Sequence, residues 1–127
     1  MAESLKDLIA AANDRVATID PGDALNRQGN GALILDIREP GELQQNGSVA
    51  DALHVPRGLL EWKADPGGDA ADVALTAKAG SGEVLVLCAA GGRAALAADT
   101  LSRMGYDALV IKGGLNGWKS AGLPVAG

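Results

Sequence analysis

The chain has 127 residues, 47 % of them hydrophobic and 21 % charged, which is the material of one globular domain with a core of its own and too little for two. A net charge of −5 argues against phosphate-backbone and anionic-membrane partners, and with Trp62, Trp118 and Tyr106 as its only aromatics the chain has no nucleic-acid stacking surface. One cysteine, Cys88, and one histidine, His54, leave no internal disulfide, no multi-cysteine metal site and no credible Ser-His-Asp arrangement.

From the N-terminus, Ser4 followed by Asp7 resembles a capping box, and Leu5, Leu8, Ile9 and Ala12 form an apolar stripe, predicting a packing helix over about 5–13. The same stretch carries acidic residues and no uninterrupted apolar core. It is therefore not a secretory signal, no later run is long enough to span a bilayer, and the cytoplasm is the expected compartment. Val16 to Ile19 predicts a short strand. Asp20 and Pro21 have the pattern of an N-cap and first-turn proline for a helix to about Arg27, broken by Gly29-Asn30-Gly31. Ala32 to Ile37 predicts a buried strand with polar Asp36 and Arg38 at its carboxyl end.

The middle predicts a short helix over 39–45, a strand over 51–55 stopped by Pro56, and a helix over 57–63. Asp65 to Asp69 reads as a turn, and alanine-rich 70–79 predicts a helix up to Gly80.

The organising stretch is Glu83 to Met104. Glu83 to Leu87 is an apolar run of the kind buried on both faces of a sheet, and it ends on Cys88. After Ala89-Ala90-Gly91-Gly92, Arg93 opens a helix whose Ala94, Ala97, Leu101 and Met104 recur at helical spacing until Gly105. Cys88 thus sits between a strand and a helix N-terminus, where unpaired amides and aligned peptide dipoles stabilise a thiolate or oxyanion. Gly91 and Gly92 let successive amides turn into one concavity. Arg93 opposes the dipole, a local misfit of the sort found at functional sites. That environment suits a nucleophile; the alternative, a small buried hydrophobe ending a core strand, stays open at this point. A strand over 107–111, a turn at Gly113-Gly114 and a helix over 115–120 complete the chain. Alternating strands and helices imply a mostly parallel sheet covered on both faces, with ligands bound outside the carboxyl ends of the strands. Asp36, Arg38 and Cys88 all lie at such ends and are expected to face one crevice.

The runs LILDIREPGEL, HVPRGLLEW, CAAGGRA with its helix ending RMGYDALVIKGGLNGW, and the closing KSAGLPV, taken together, resemble a single-domain rhodanese-like sulfurtransferase over about 16–126. The resemblance implies one α/β domain spanning 1–127, a three-layer sandwich with a central, mostly parallel five-stranded sheet flanked by helices. It implies that Cys88 takes sulfane sulfur from thiosulfate or a related donor as a persulfide and passes it, by ping-pong kinetics, to cyanide, a thiol or a protein acceptor. The amides of Ala89, Ala90, Gly91, Gly92, Arg93 and Ala94, with the Arg93 guanidinium, would hold the anion. No metal or organic cofactor is required. Asp36 and Arg38 match an Asp-x-Arg of the family; Asp36 is expected to brace Arg93 or the loop amides, and Arg38 to sit at the rim or pair with Glu39 or Glu42, with a structural salt bridge the alternative for both.

The chain departs from the family at Gly47-Ser48-Val49-Ala50-Asp51-Ala52, where Asp51 replaces a turn glycine and a histidine is lost, and Ala89 and Ala90 replace polar residues. The first change bears on turn geometry, the second on affinity for a dianion. Two other functions are open to the same fold. A phosphatase or arsenate reductase needs five residues between cysteine and arginine, and Ala89 to Gly92 are four. A non-enzymatic sulfur-carrier or protein-binding module is harder to reconcile with an intact Cys88.

Overall fold

The computed structural model describes residues 2–127. Five apolar runs pair into one sheet: β1 (Ala17–Ile19), β2 (Leu33–Asp36), β3 (Leu53–His54), β4 (Glu83–Leu87) and β5 (Asp107–Ile111). The order is β1-β5-β4-β2-β3 and every ladder is parallel. Parallel neighbours cannot be joined by tight hairpins, so the chain must cross over between them. The crossovers and flanks carry α1 (Leu5–Arg15), α2 (Pro21–Gly29), α3 (Pro40–Asn46), α4 (Leu60–Ala64), α5 (Val73–Thr76), α6 (Gly92–Arg103) and α7 (Gly114–Ser120).

The period-two alternation of the strands divides the core. Leu35, Val84, Val86, Cys88 and Val110 point to the face covered by α1, α4, α5 and α6. Ile34, Leu85, Leu87, Leu109 and Ile111 point to the other, against α2 and α7, where Trp118 is fully buried. The expected three-layer α/β sandwich is thus present, with a sheet that is parallel throughout. Among the described residues no helix is long and apolar enough to cross a membrane.

Helix α1 begins as the sequence indicates: Asp7 N–H donates to Ser4 Oγ at 3.1 Å and Ser4 N–H to Asp7 Oδ2 at 3.0 Å. At its other end Arg15 makes a two-pronged contact with Asp99 of α6, Nε to Oδ1 and Nη2 to Oδ2, each 2.7 Å. This fastens α1 across α6.

Two expectations from sequence are corrected. The helix over 70–79 contracts to Val73–Thr76. Asp72 caps it by accepting from Leu75 N–H at 3.0 Å, and after Thr76 the chain tightens into i→i+3 turns. Its alanines have the propensity for a helix, but only Leu75 of the helix is buried, and without an apolar face to pack, propensity does not extend it. The strand over 51–55 contracts to Leu53–His54. Asp51 adopts a left-handed conformation, φ 63°, and is the one non-glycine with positive φ among the described residues, so the extended run can start only after it. The turn that the glycine-to-aspartate departure put in question keeps the left-handed geometry, with an aspartate in it.

Candidate active site

β4 lies between β2 and β5 with its last four residues buried, so its carboxyl end is fixed by ladders on both sides. Cys88 follows directly and is 1 % exposed. Its Sγ is the acceptor of two main-chain hydrogen bonds, from Gly91 N–H at 3.0 Å and Ala94 N–H at 3.3 Å. Gly91 holds φ 120°, a conformation closed to L side chains, and from there its amide turns back toward the sulfur. The N–H groups of Ala89, Ala90, Gly92 and Arg93 have no intramolecular acceptor among the described residues.

The loop is held from behind by α7. Leu115 N–H donates to the Cys88 carbonyl at 2.8 Å and Asn116 N–H to the Ala89 carbonyl at 3.0 Å. Peptide planes are trans, so anchoring these two carbonyls on α7 sends the N–H groups of Ala89 and Ala90 to the opposite side. The anchor requires contact between backbones. A Cβ on Gly114, which has φ +58°, would overlap the Cys88 carbonyl oxygen and lie 2.7 Å from that of Ala89. The Gly113-Gly114 pair, a plain turn in the sequence reading, is a support of the cysteine loop.

Cys88 forms the floor of a pocket of about 280 Å³, walled by Leu5 and Ile9 of α1, Leu96 and Arg93 of α6, and the loop. Arg93, the misfit cation of the first turn, is explained by a partner from α3: Nη1 and Nη2 each lie 2.8 Å from the two oxygens of Glu42. Glu42 also accepts from the Glu39 N–H at 2.8 Å. Its pKa is held at about 2, chiefly by the Arg93 hydrogen bonds, against desolvation, with help from the Glu39 amide and the charges of Arg93 and Arg38. The carboxylate in turn raises the pKa of Arg93.

Asp36 and Arg38 do not enter the pocket; the site partners expected for them are corrected, and the geometry is that of the salt-bridge alternative. Two residues apart on an extended chain, they point to the same side. Both are 1 % exposed, and they pair with each other. Arg38 donates from its backbone N–H and Nε to Asp36 Oδ1 at 3.0 Å each and from Nη2 to Oδ2 at 2.7 Å. Nη2 reaches further to the Gly47 carbonyl at 2.9 Å, and His54 Nε2 lies 2.6 Å from the Arg38 carbonyl. This polar knot ties the end of β2 to the turn after α3. Removing one member of such a pair strands a buried charge, at about 3–5 kcal/mol, against about 0–1 kcal/mol for an exposed pair of the Arg57–Glu61 kind. The knot lies outside the pocket and acts on the site through the charge of Arg38 near Glu42.

Sequence reasoning missed three contributors: Glu42 as the partner of Arg93, Leu5 and Ile9 as pocket wall, and Gly114 as loop support. Each is a contact between elements far apart in the chain, and only the apolar stripe of α1 left a sign of it.

The arrangement can therefore stabilise negative charge on a sulfur at the floor of a small, largely apolar pocket. The sequence matches the Rhodanese-like domain over residues 20–121. A protein of Rhodopseudomonas palustris, described as of unknown function and a possible tyrosine phosphatase, shares 31 % identity over 98 % of this chain and 96 % of its own, with a TM-score of 0.89. A polysulfide-sulfur transferase homodimer of Wolinella succinogenes shares 31 % identity over 92 % of this chain and 82 % of its own, with a TM-score of 0.67. A rhodanese-related protein of Thermoplasma volcanium shares 28 % identity over 86 % and 96 %, with a TM-score of 0.70. No curated protein matches the chain. With four-fifths of its length matched by the model of that family and its whole fold shared with the rhodanese-related neighbour, the chain belongs to the rhodanese-like domain family.

Proposed function

We propose that the protein is a sulfurtransferase that moves sulfane sulfur through a persulfide on Cys88. The observation that carries this reading is the pair of main-chain N–H donors, Gly91 and Ala94, aimed at Sγ. They stabilise the charge of a thiolate before transfer. The unpaired amides of Ala89, Ala90, Gly92 and Arg93 are available to the sulfur added next. With thiosulfate as donor, the Cys88 thiolate attacks the outer sulfur, the bond between the two donor sulfurs breaks, and its electron pair leaves on sulfite. The product is the Cys88 persulfide anion. Cyanide or a thiolate then attacks the outer sulfur of the persulfide, giving thiocyanate or a new persulfide and returning the Cys88 thiolate. As the chain has one cysteine, no internal thiol can resolve the persulfide, and the acceptor is an outside thiophile, small or protein-borne.

The competing phosphatase reading has the description of the Rhodopseudomonas relative in its favour. Against it, the loop from cysteine to arginine has four intervening residues, and the guanidinium that would bind a phosphoryl dianion is engaged by Glu42.

The test is intact mass after incubation with thiosulfate or another sulfane donor. A gain of one sulfur atom in the wild type, absent in Cys88→Ser, is expected, with parallel-line initial rates when donor and acceptor are varied. Hydrolysis of an aryl phosphate without any sulfur adduct would replace this reading by the phosphatase one.

A further inference from the structure

Helix α1 precedes the matched region 20–121, yet it supplies part of the wall above Cys88. Leu5 lines the pocket and remains 65 % exposed, and Ile9 lines it beside the start of α6, its Cδ1 near Gly92. Leu96 faces them from α6. The helix is not loosely placed, because the Arg15–Asp99 contact fastens its far end and Ala12 is fully buried. The one charged side chain of the pocket, Arg93, is neutralised by Glu42, with Glu39 close enough to act on it as well.

These facts bear on the donor. A dianion entering this pocket would shed water without meeting a free cation, in a chain of net charge −5. A monoanion with its charge on the reacting sulfur needs only the loop amides and the helix dipole. At about 280 Å³ the pocket holds many times the ~30 Å³ of one water, so there is space beside the sulfur head for an organic body, and the walls it would touch are Leu5, Ile9 and Leu96.

We infer that the site, on the sulfur-transfer reading above, takes a monoanionic sulfane donor with an apolar body, an alkyl or aryl thiosulfonate or an organic persulfide, in preference to thiosulfate, and that α1 sets this preference through Leu5 and Ile9. For an aryl thiosulfonate the chemistry is balanced. The Cys88 thiolate attacks the outer sulfur, the S–S bond to the sulfonyl sulfur breaks, the electron pair leaves on the aryl sulfinate, and Cys88 becomes the persulfide anion.

The experiment measures kcat/KM for benzenethiosulfonate and for thiosulfate with cyanide as acceptor, in the wild type, Leu5→Ala, Ile9→Ala and Leu8→Ala. The two donors differ in leaving group, but that difference cancels when the ratio of their kcat/KM values is compared between wild type and variant. Leu5→Ala and Ile9→Ala are expected to lower the ratio by about tenfold or more, the lower end of the scale for losing one methylene from an apolar pocket, because Leu5 contributes only part of its side chain to the wall. Leu8→Ala, outside the pocket on the same helix, leaves it at the wild-type value. Because Leu5 is largely exposed, its truncation spares the core, and unchanged thermal unfolding checks this. A ratio insensitive to both substitutions, while either donor still loads Cys88, overturns the inference alone. Absence of the persulfide mass with both donors overturns the sulfur-transfer reading and the inference with it.

Discussion

Arg93 and Glu42, 51 residues apart in the chain, form a two-pronged ion pair in which both N–O distances are 2.8 Å. The pair joins the first turn of α6 to α3 and balances a cation that would otherwise oppose the helix dipole. It also consumes the positive charge nearest Cys88. Glu42→Gln should therefore release that charge and raise kcat/KM for thiosulfate by about tenfold, while Arg93→Ala, which leaves the Glu42 carboxylate unpaired beside the site, should slow sulfur loading by about tenfold or more. Arg93 is 39 % exposed on its side chain, so its loss should cost the fold at most about 1 kcal/mol. Loading rate and thermal unfolding of the two variants check this, and wild-type loading by Arg93→Ala would remove that residue from the mechanism.

The same pair sets an acid limit. The pKa of Glu42 falls from the ordinary 4.5 to about 2 in the folded protein, so between these values the unfolded chain binds the proton more readily. The stabilisation is complete above 4.5 and disappears as pH falls from 4.5 toward 2. Asp99, lowered chiefly by its hydrogen bond from Arg15, acts in the same direction. Denaturant midpoints followed downward through this window should drop, and Glu42→Gln should flatten the profile.

Gly114→Ala tests the support beneath the cysteine loop. The new Cβ would overlap the Cys88 carbonyl and come within 2.7 Å of the Ala89 carbonyl oxygen. These are backbone atoms with no rotamer to yield. The expected result is a loss of about 1–3 kcal/mol together with impaired sulfur loading, as the rotating carbonyls carry the loop amides with them. Gly22→Ala is the control, since nothing lies within 4 Å of that position and alanine in a helix is favoured over glycine by roughly 0.5–1 kcal/mol.

Asp51, at φ 63°, holds a conformation that costs an L residue about 1–2 kcal/mol, less for aspartate than for most. Asp51→Gly should therefore raise the unfolding midpoint modestly, and Asp51→Val should lower it by more than glycine raises it. Neither exchange reaches the pocket, so the rate of loading should stay the same; thermal scans beside loading rates decide the point.

The architecture was legible in the sequence wherever a local signal coincided with burial. Glu83 to Leu87 reads as a central strand because each of its apolar residues has a sheet face to occupy, and Asp20-Pro21 and Ser4-x-x-Asp7 mark helix starts through hydrogen bonds made within a few residues. Where burial did not follow propensity, at 70–79 and 51–55, the reading overran the element. The position of Cys88 between strand and helix is likewise local chemistry, and the two amide donors to its sulfur come from within six residues of it.

What the sequence by itself determined is therefore the place of Cys88 between strand and helix and the two amide donors to its sulfur, because residues within six positions build both. Tertiary structure alone decided the charge and lining of the pocket. It assigned Glu42 to Arg93, set Gly114 against the loop, and laid α1 over the sulfur. The physical reason is distance along the chain: such contacts depend on how layers pack and which charges lose their water, and no pattern of neighbouring residues encodes that.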